Sequence, residues 1–223
     1  MKLICRHFGV SDYSDMLKAM QVFTAERNDN TCDELWLTEH QAVFTLGRAG
    51  KKEHVLNAGD IPLLRSDRGG QVTYHGPGQL IGYTLFDLKR LDLGVKQFVG
   101  AIEQALINFL ANNAIEGVRR ADAPGIYVNK QKIAALGLRI RRHCAYHGFS
   151  LNIDMDLSPF SRINPCGYAG LAVTQLSNFT TEHSLGSASD ALCNQIQQVF
   201  GYTERLIDSN PTTLNDYAQP HNH

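Results

Sequence analysis

The strongest constraint on the fold is one amphipathic helix set among segments that read as strands. Over residues 95–110 the apolar side chains Val95, Phe98, Val99, Ile102, Ala105, Leu106, Phe109 and Leu110 recur at the spacing of a single helical face. Residues 3–8, 33–38, 42–46, 62–66, 72–75 and 80–86 before it, and 125–128, 132–141 and 146–153 after it, carry strand-like patterns. Ser11 or Asp12 caps an earlier helix with Met16, Ala19, Met20 and Phe23 on one face, and a last helix is expected over 188–200. Helices and strands do not alternate strictly, and turn signals recur at 76–78 and across 129–131. An α+β class with a mixed, largely antiparallel sheet and packed helices is therefore expected, not a doubly wound parallel sheet.

A chain of 223 residues that is 43% hydrophobic supplies a core without disulfides or a structural metal. One domain over residues 1–210 is expected, with two as the alternative, and the polar end at 211–223 is expected to lack fixed structure. Lysine and arginine (21) balance aspartate and glutamate (22), so no strong field draws the chain to nucleic acid or an anionic membrane. Lys2, Arg6, Asp12, Asp15 and Lys18 interrupt the first apolar positions, and no later run is long enough to span a bilayer. A cytoplasmic location is expected. Five cysteines, at 5, 32, 144, 166 and 193, are an odd count at irregular spacing, which favours free thiols.

Residues 68–79, RGGQVTYHGPGQ, bring Gly69, Gly70, Gly76, Pro77 and Gly78 together with Arg68, Gln71, Thr73, Tyr74 and His75. Glycine lets backbone approach a ligand closely while the polar side chains orient it, which marks a candidate binding loop; turn residues at sheet corners read the same way. Gly76, Gly78 and Gly82 do not form a dinucleotide fingerprint, because Pro77 and the strand-like 80–86 leave no helix N-terminus for a pyrophosphate. Within NPCGYAG (164–170), Cys166 lies in a turn between Pro165 and Gly167, where a thiol is open to reaction. A thiol attacks as its thiolate, which needs a positive charge or a base within reach. Lys132 opens KIAALGLRI, where Ala134, Ala135 and Gly137 leave room beside the strand, so its partly desolvated amine is the candidate partner; a solvated hairpin lysine is the other reading. His143, Cys144 and His147 lack a second ligand pair at zinc spacing, and strand alternation sends Cys144 away from both histidines, so no metal site is expected.

TLGR (45–48), RGGQVTYHGPGQL (68–80), PGIYV (124–128), KIAALGLRI (132–140), YHGFSLNI (146–153) and NPCG (164–167) stand in the order in which the lipoyl(octanoyl) transferase family carries its motifs, and together they resemble that family. The resemblance implies a fold similar to biotin and lipoate protein ligases. It implies transfer of an octanoyl group from acyl carrier protein to a lysine of lipoyl domains, those of 2-oxoacid dehydrogenase complexes and the glycine cleavage H protein. Cys166 would be the acyl-thioester nucleophile and Lys132 the residue that favours its thiolate. Arg68, Gly69, Gly70, Gln71, Val72, Thr73, Tyr74 and His75, with Ala135, Leu136, Gly137, Gly148, Phe149 and Ser150, would line the substrate pocket. Tyr127 and Tyr168 depart from the tryptophan and the aliphatic residue more usual there, which bears on pocket shape. Exchange of one thioester for another, then for an amide, needs no ATP and no cofactor.

Backbone N–H groups at 76–78, or following Cys166, are candidate oxyanion donors. Arg48, Lys51, Lys52, Arg139, Arg141 and Arg142 are candidates for docking an acidic carrier protein. An ATP-dependent ligase would share the fold and the lysine without needing Cys166. A non-enzymatic acyl-binding protein would need neither residue.

Overall fold

Leu35 and Leu37 enter one apolar cluster and Trp36 the opposite one, so alternation along a single strand sets the two core layers of this protein. The computed structural model describes residues 1–208, except Asp122, His183 and the side chain of Cys166, together with Leu214 and Tyr217. In chain order it contains β1 (Lys2–Ser11), α1 (Tyr13–Glu26), β2 (Asp33–His40), β3 (Val43–Leu46), β4 (Leu63–Arg65), β5 (Val72–His75) and β6 (Gln79–Leu85). There follow α2 (Val95–Ala111), β7 (Val118–Arg119), β8 (Ile126–Val128), β9 (Gln131–Arg141), β10 (Cys144–Asn152), α3 (Leu185–Phe200) and β11 (Glu204–Asp208). Short 3-10 turns connect them, among them Lys52–His54 and Pro165–Gly167.

The large sheet has the strand order β11-β1-β2-β6-β10-β9-β8-β7, and a small sheet has the order β4-β3-β5. In the large sheet β1 runs parallel to β2 and β11, and every other neighbouring pair is antiparallel. The expected α+β class with a mixed, largely antiparallel sheet is the class observed. Helices α2 and α3 pack on one face, where Phe98, Ile102, Leu106 and Phe109 are buried against Leu35, Leu37, Leu80 and Leu151. Each such side chain contributes about 1.5–3 kcal/mol by leaving water. On the other face α1 presses Met16, Ala19 and Met20 onto Trp36, Ile81, Tyr83 and Leu85. Asp12 caps α1, accepting from the N–H groups of Ser14 (2.7 Å) and Asp15 (3.1 Å).

Several boundaries moved. The turn between β8 and β9 holds two residues, Asn129 and Lys130, both at positive φ (48° and 67°), so Gln131 pairs with Val128 and belongs to β9. This turn geometry matches the right-handed twist of the flanking strands better than the expected three-residue turn. Helix α3 begins at Leu185, earlier than the expected 188, because Ser184 caps it. Strands β7 and β11 were not expected: β7 has two residues, and β11 (ERLID) has a weak alternation and gains its partner only by pairing with β1. The stretch 211–223, expected to be unstructured, lies outside the described residues apart from Leu214 and Tyr217, which pack on the α1 face with the Tyr217 ring 4.6 Å from Trp36. Among the described residues, no helix is long and apolar enough to cross a membrane.

Candidate active site

Between the small sheet with its 68–75 loop and the β9–β10 part of the large sheet lies a cavity of about 330 Å³. That volume is in the range of small-molecule sites. Val72, Ile81, Ala135, Leu136, Leu138 and Phe149 give it apolar walls, while Gln71, Thr73, His75 and Ser150 add polar groups. An apolar space edged by a few hydrogen-bonding groups suits an acyl chain. Of the fourteen residues expected in the pocket, Arg68, Gly69, Gly70, Gln71, Val72, Thr73, His75, Ala135, Leu136, Gly137, Gly148, Phe149 and Ser150 line it. Tyr74 does not: period-two alternation turns it into the cluster of the small sheet, 5.5 Å from Phe44 and from Phe160.

Lys132, the second residue of β9, is 4% exposed. Its Nζ donates to the Pro124 carbonyl at 3.0 Å and lies 5.3 Å from the centre of the Tyr127 ring. Gly125 makes room for it: φ is 137°, and a Cβ there would stand 2.6 Å from the Ala134 carbonyl oxygen and 3.1 Å from Lys132 Cε. The Lys132 N–H donates to Ala172 O and its carbonyl accepts from Thr174 N–H, both at 2.9 Å, so the segment that follows the cysteine turn lies against this lysine. Lys132 and Pro165 line one small crevice, and that crevice shares Thr73, Ala135 and Ser150 with the large cavity. Cys166 lies in the 3-10 turn Pro165–Gly167; its side chain, and with it the Lys132–Cys166 separation, falls outside the described residues.

A buried amide relay fixes the state of His75. Asn152 Nδ2 donates to Thr174 O (2.8 Å), so Asn152 Oδ1 accepts from Gln79 Nε2 (2.8 Å). Gln79 Oε1 then accepts from His75 Nδ1–H (2.7 Å). Burial, helped by nearby His40, holds His75 neutral down to about 3. His75 therefore offers Nε2 as an acceptor on the cavity side. Gln79 and Asn152 were missed from sequence as site residues, although Gln79 closes the GPGQ run.

Tyr13, Tyr83 and His147 also line the cavity and were missed; the Tyr13 ring stacks on His75 with centres 5.9 Å apart. The Tyr83 hydroxyl meets His40 Nε2 at 2.6 Å, and burial lowers His40 to about 4. His147 occupies a left-handed backbone position within β10 (φ 59°), is 1% exposed, and meets Asp67 Oδ1 through Nε2 at 2.7 Å. Burial alone would raise the Asp67 carboxyl, but hydrogen bonds from His147, Tyr146 and Gln21 overcome it and bring the group down to about 2. Of the trio read against zinc, His143 lies in the Arg142–His143 hairpin turn and His147 is engaged with Asp67.

Arg68 crosses the cavity wall beneath Gly137, whose Cβ would lie 3.0 Å from Arg68 Cδ. It donates to Thr45 O (2.7 Å), Gly69 O (2.9 Å) and Gln71 O (3.0 Å), bracing the loop from within. Three of the expected oxyanion donors, the N–H groups of Gly78, Gly167 and Tyr168, are engaged. Gly78 N–H donates to Glu39 Oε2 (2.8 Å), while those of Gly167 and Tyr168 close the 3-10 turn onto Asn164 and Pro165 carbonyls. Among the basic candidates, Arg48 and Arg139 share a shallow depression with Gly69, Gly70 and Leu138, three residues that also line the cavity. Arg141 and Arg142 are exposed at the β9–β10 end, and Lys51 and Lys52 are exposed in the loop after β3.

The profile of the lipoyl protein ligase A/B catalytic domain matches residues 12–197, most of the chain. The chain belongs to that family. Within it the chain groups with acyltransferases: it is 55% identical to the octanoyltransferase of Shewanella sp. (strain W3-18-1) over 88% of this chain and 91% of that one. Against the octanoyltransferase of Aliivibrio fischeri (strain ATCC 700601 / ES114) identity is 52%, over 91% and 94%. The fold of the family's ligase branch is also shared. A bi-partite lipoate protein ligase from Thermoplasma acidophilum superposes with a TM-score of 0.77 at 14% identity, covering 98% of this chain and 91% of that one. The biotin protein ligase of Aquifex aeolicus in complex with biotin and ATP gives a TM-score of 0.57 at 12% identity, covering 89% and 70%.

Proposed function

We propose that residues 1–210 act as one catalytic unit that moves an octanoyl group from acyl carrier protein to a lysine of a lipoyl domain, through a thioester on Cys166. The observation that carries this reading is the crevice lined by Lys132 and Pro165, which shares Thr73, Ala135 and Ser150 with the apolar cavity. An acyl chain held in the cavity would present its carbonyl at the crevice. In the first half-reaction the Cys166 thiolate, its proton taken by Lys132, attacks the carrier's thioester. A new C–S bond forms, the carrier's C–S bond breaks, and the carrier thiol leaves with the proton. In the second, the acceptor amine attacks the enzyme thioester: a C–N bond forms, the C–S bond to Cys166 breaks, sulfur leaves as thiolate and the proton shed by nitrogen passes to a base. The lipoyl domains of 2-oxoacid dehydrogenase complexes and the glycine cleavage H protein are the acceptors.

The high identity to octanoyltransferases supports this reading over an ATP-dependent ligase, because the ligase likenesses are confined to the fold. The experiment is intact-protein mass spectrometry after mixing the enzyme with octanoyl-loaded carrier protein in the absence of ATP. An octanoyl adduct on wild type, absent from Cys166→Ala and discharged by an added lipoyl domain, is the expected result. Modification of the lipoyl domain only when ATP and free octanoate are supplied would replace this reading with a ligase.

A further inference from the structure

We propose that His54 is a second proton-transfer residue of this reaction, the one that takes the proton released when the acceptor lysine is acylated. The proposal rests on the Cys166 thioester reading above.

The loop after β3 clamps the cysteine turn from its outer side. His54 O accepts from Asn164 N–H at 2.8 Å, Arg162 O accepts from the N–H groups of Leu56 and Asn57 at 2.9 and 3.0 Å, and Val55 bridges Ile163. The ring belongs to the same clamp. Gly167 follows Cys166 at φ 83°, and a Cβ placed there would stand 3.4 Å from His54 Nε2 and 3.3 Å from Gln71 Cγ. Gln71 lines the acyl cavity, and its Oε1 accepts from Lys51 N–H at 3.1 Å, pinning the start of the turn that carries His54. Among the described residues His54 Nδ1 is buried without a hydrogen-bond partner, whereas Nε2 faces the turn and is the nitrogen within reach of an incoming group. Glu53 Oε1, 4.0 Å from that nitrogen, supplies the opposite charge an imidazolium would need.

The two flanks of the turn differ in access. Lys132 is 4% exposed and holds the Pro124 carbonyl, whereas the His54 side chain is 19% exposed. An acceptor lysine borne on a protein domain arrives from solvent. When its amine attacks the thioester, the C–N bond forms, the C–S bond breaks, sulfur leaves as thiolate, and nitrogen must shed one proton. His54 Nε2 takes that proton and passes it to water, so Lys132 serves the sulfur and His54 the nitrogen.

The test separates the half-reactions. Wild-type enzyme is first charged with octanoyl carrier protein and its adduct confirmed; without an adduct on Cys166 both readings fall together. With the adduct in hand, His54→Gln is expected to charge at the wild-type rate, which also reports an intact fold, and to discharge to a lipoyl domain about a hundredfold more slowly. Added imidazole is expected to restore discharge, most strongly in His54→Ala, where the ring's space is vacant. Wild-type discharge by His54→Gln would overturn the proposal while leaving the thioester standing. Equal slowing of both half-reactions without rescue by imidazole would also overturn it, reducing His54 to a brace.

Discussion

Lys132 Nζ donates to the carbonyl oxygen of Pro124 at 3.0 Å, so a backbone group helps to aim the amine. Lys132→Met keeps much of the stem but removes the amine, and charging of Cys166 is expected to fall by about 10²–10⁴. Pro124 is exposed, so its carbonyl can take water in place of the amine, and stability is expected to change by less than about 1 kcal/mol. Adduct formation by mass spectrometry and the urea midpoint measure the two effects separately.

Gly125 is the backbone space in which that amine sits. Gly125→Ala forces a Cβ to 2.6 Å from Ala134 O at φ 137°, and about 1–3 kcal/mol of strain is expected, with charging lost alongside. Thermal unfolding should show a midpoint lower by several degrees, and an unchanged midpoint with full activity would refute the assignment.

Paired registers indicate which end of the cavity holds the chain's tail. Ala135 opposite Ser150 lies at the crevice, and Leu138 opposite His147 lies three residues further along, about 10 Å of strand. Leu138→Trp is therefore expected to shift preference from octanoyl towards shorter acyl groups. The ratio of kcat/KM for hexanoyl and octanoyl carrier proteins reads this directly.

His40 and His75 make the fold sensitive to acid. Both stay neutral in the native state down to about 4 and about 3, against 6.5 when unfolded, so the unfolded chain binds more protons between those limits. Their contribution is complete above about pH 6.5 and is lost as pH falls towards those lower values, at about 1.4 kcal/mol per pH unit for each group. Burial also holds His147 below its ordinary value, so His75→Gln should reduce but not abolish the slope of stability against pH between 6 and 4 in denaturant titrations.

Arg48 and Arg139 flank a depression that adjoins the cavity. Reversing both, Arg48→Glu with Arg139→Glu, is expected to raise KM for an acidic carrier protein at least tenfold with little change in kcat, and added salt should weaken the wild-type enzyme in the same sense. Unchanged kinetics would move the docking surface elsewhere.

The elements with a strong local period were legible from sequence: α1, α2 and most strands carry their own pattern, and the 68–75 loop declared itself through glycines that permit close backbone approach. What was hidden depends on contacts distant in the chain. Tyr13 reaches the cavity from the first helix, and His147 was weighed from sequence only as a zinc ligand and as part of a family motif. Asp67 adjoins the recognised loop yet acquires its role from β10, eighty positions away. Tyr74 was included because the loop was read as a run; the period of two within β5 points it into the small sheet. The assignment of His54 was out of reach because its surroundings, a mixture of Gly, Lys and His, carry no period, and its neighbour Gly167 is met only in three dimensions.

The segment that follows the cysteine turn is tied to Lys132 by a backbone bridge, and the residue before the turn is tied to His54 by another, so Cys166 is carried on a short span anchored at both ends. Apart from Tyr168, which lies on that span, the apolar cavity is lined by other parts of the chain. Recognition and reaction are in that sense separable modules: a protein whose span were exchanged for an inert one of equal length would retain its appetite for medium-chain acyl groups and lose its power to hand them on, turning a transferase into an acyl-group reservoir.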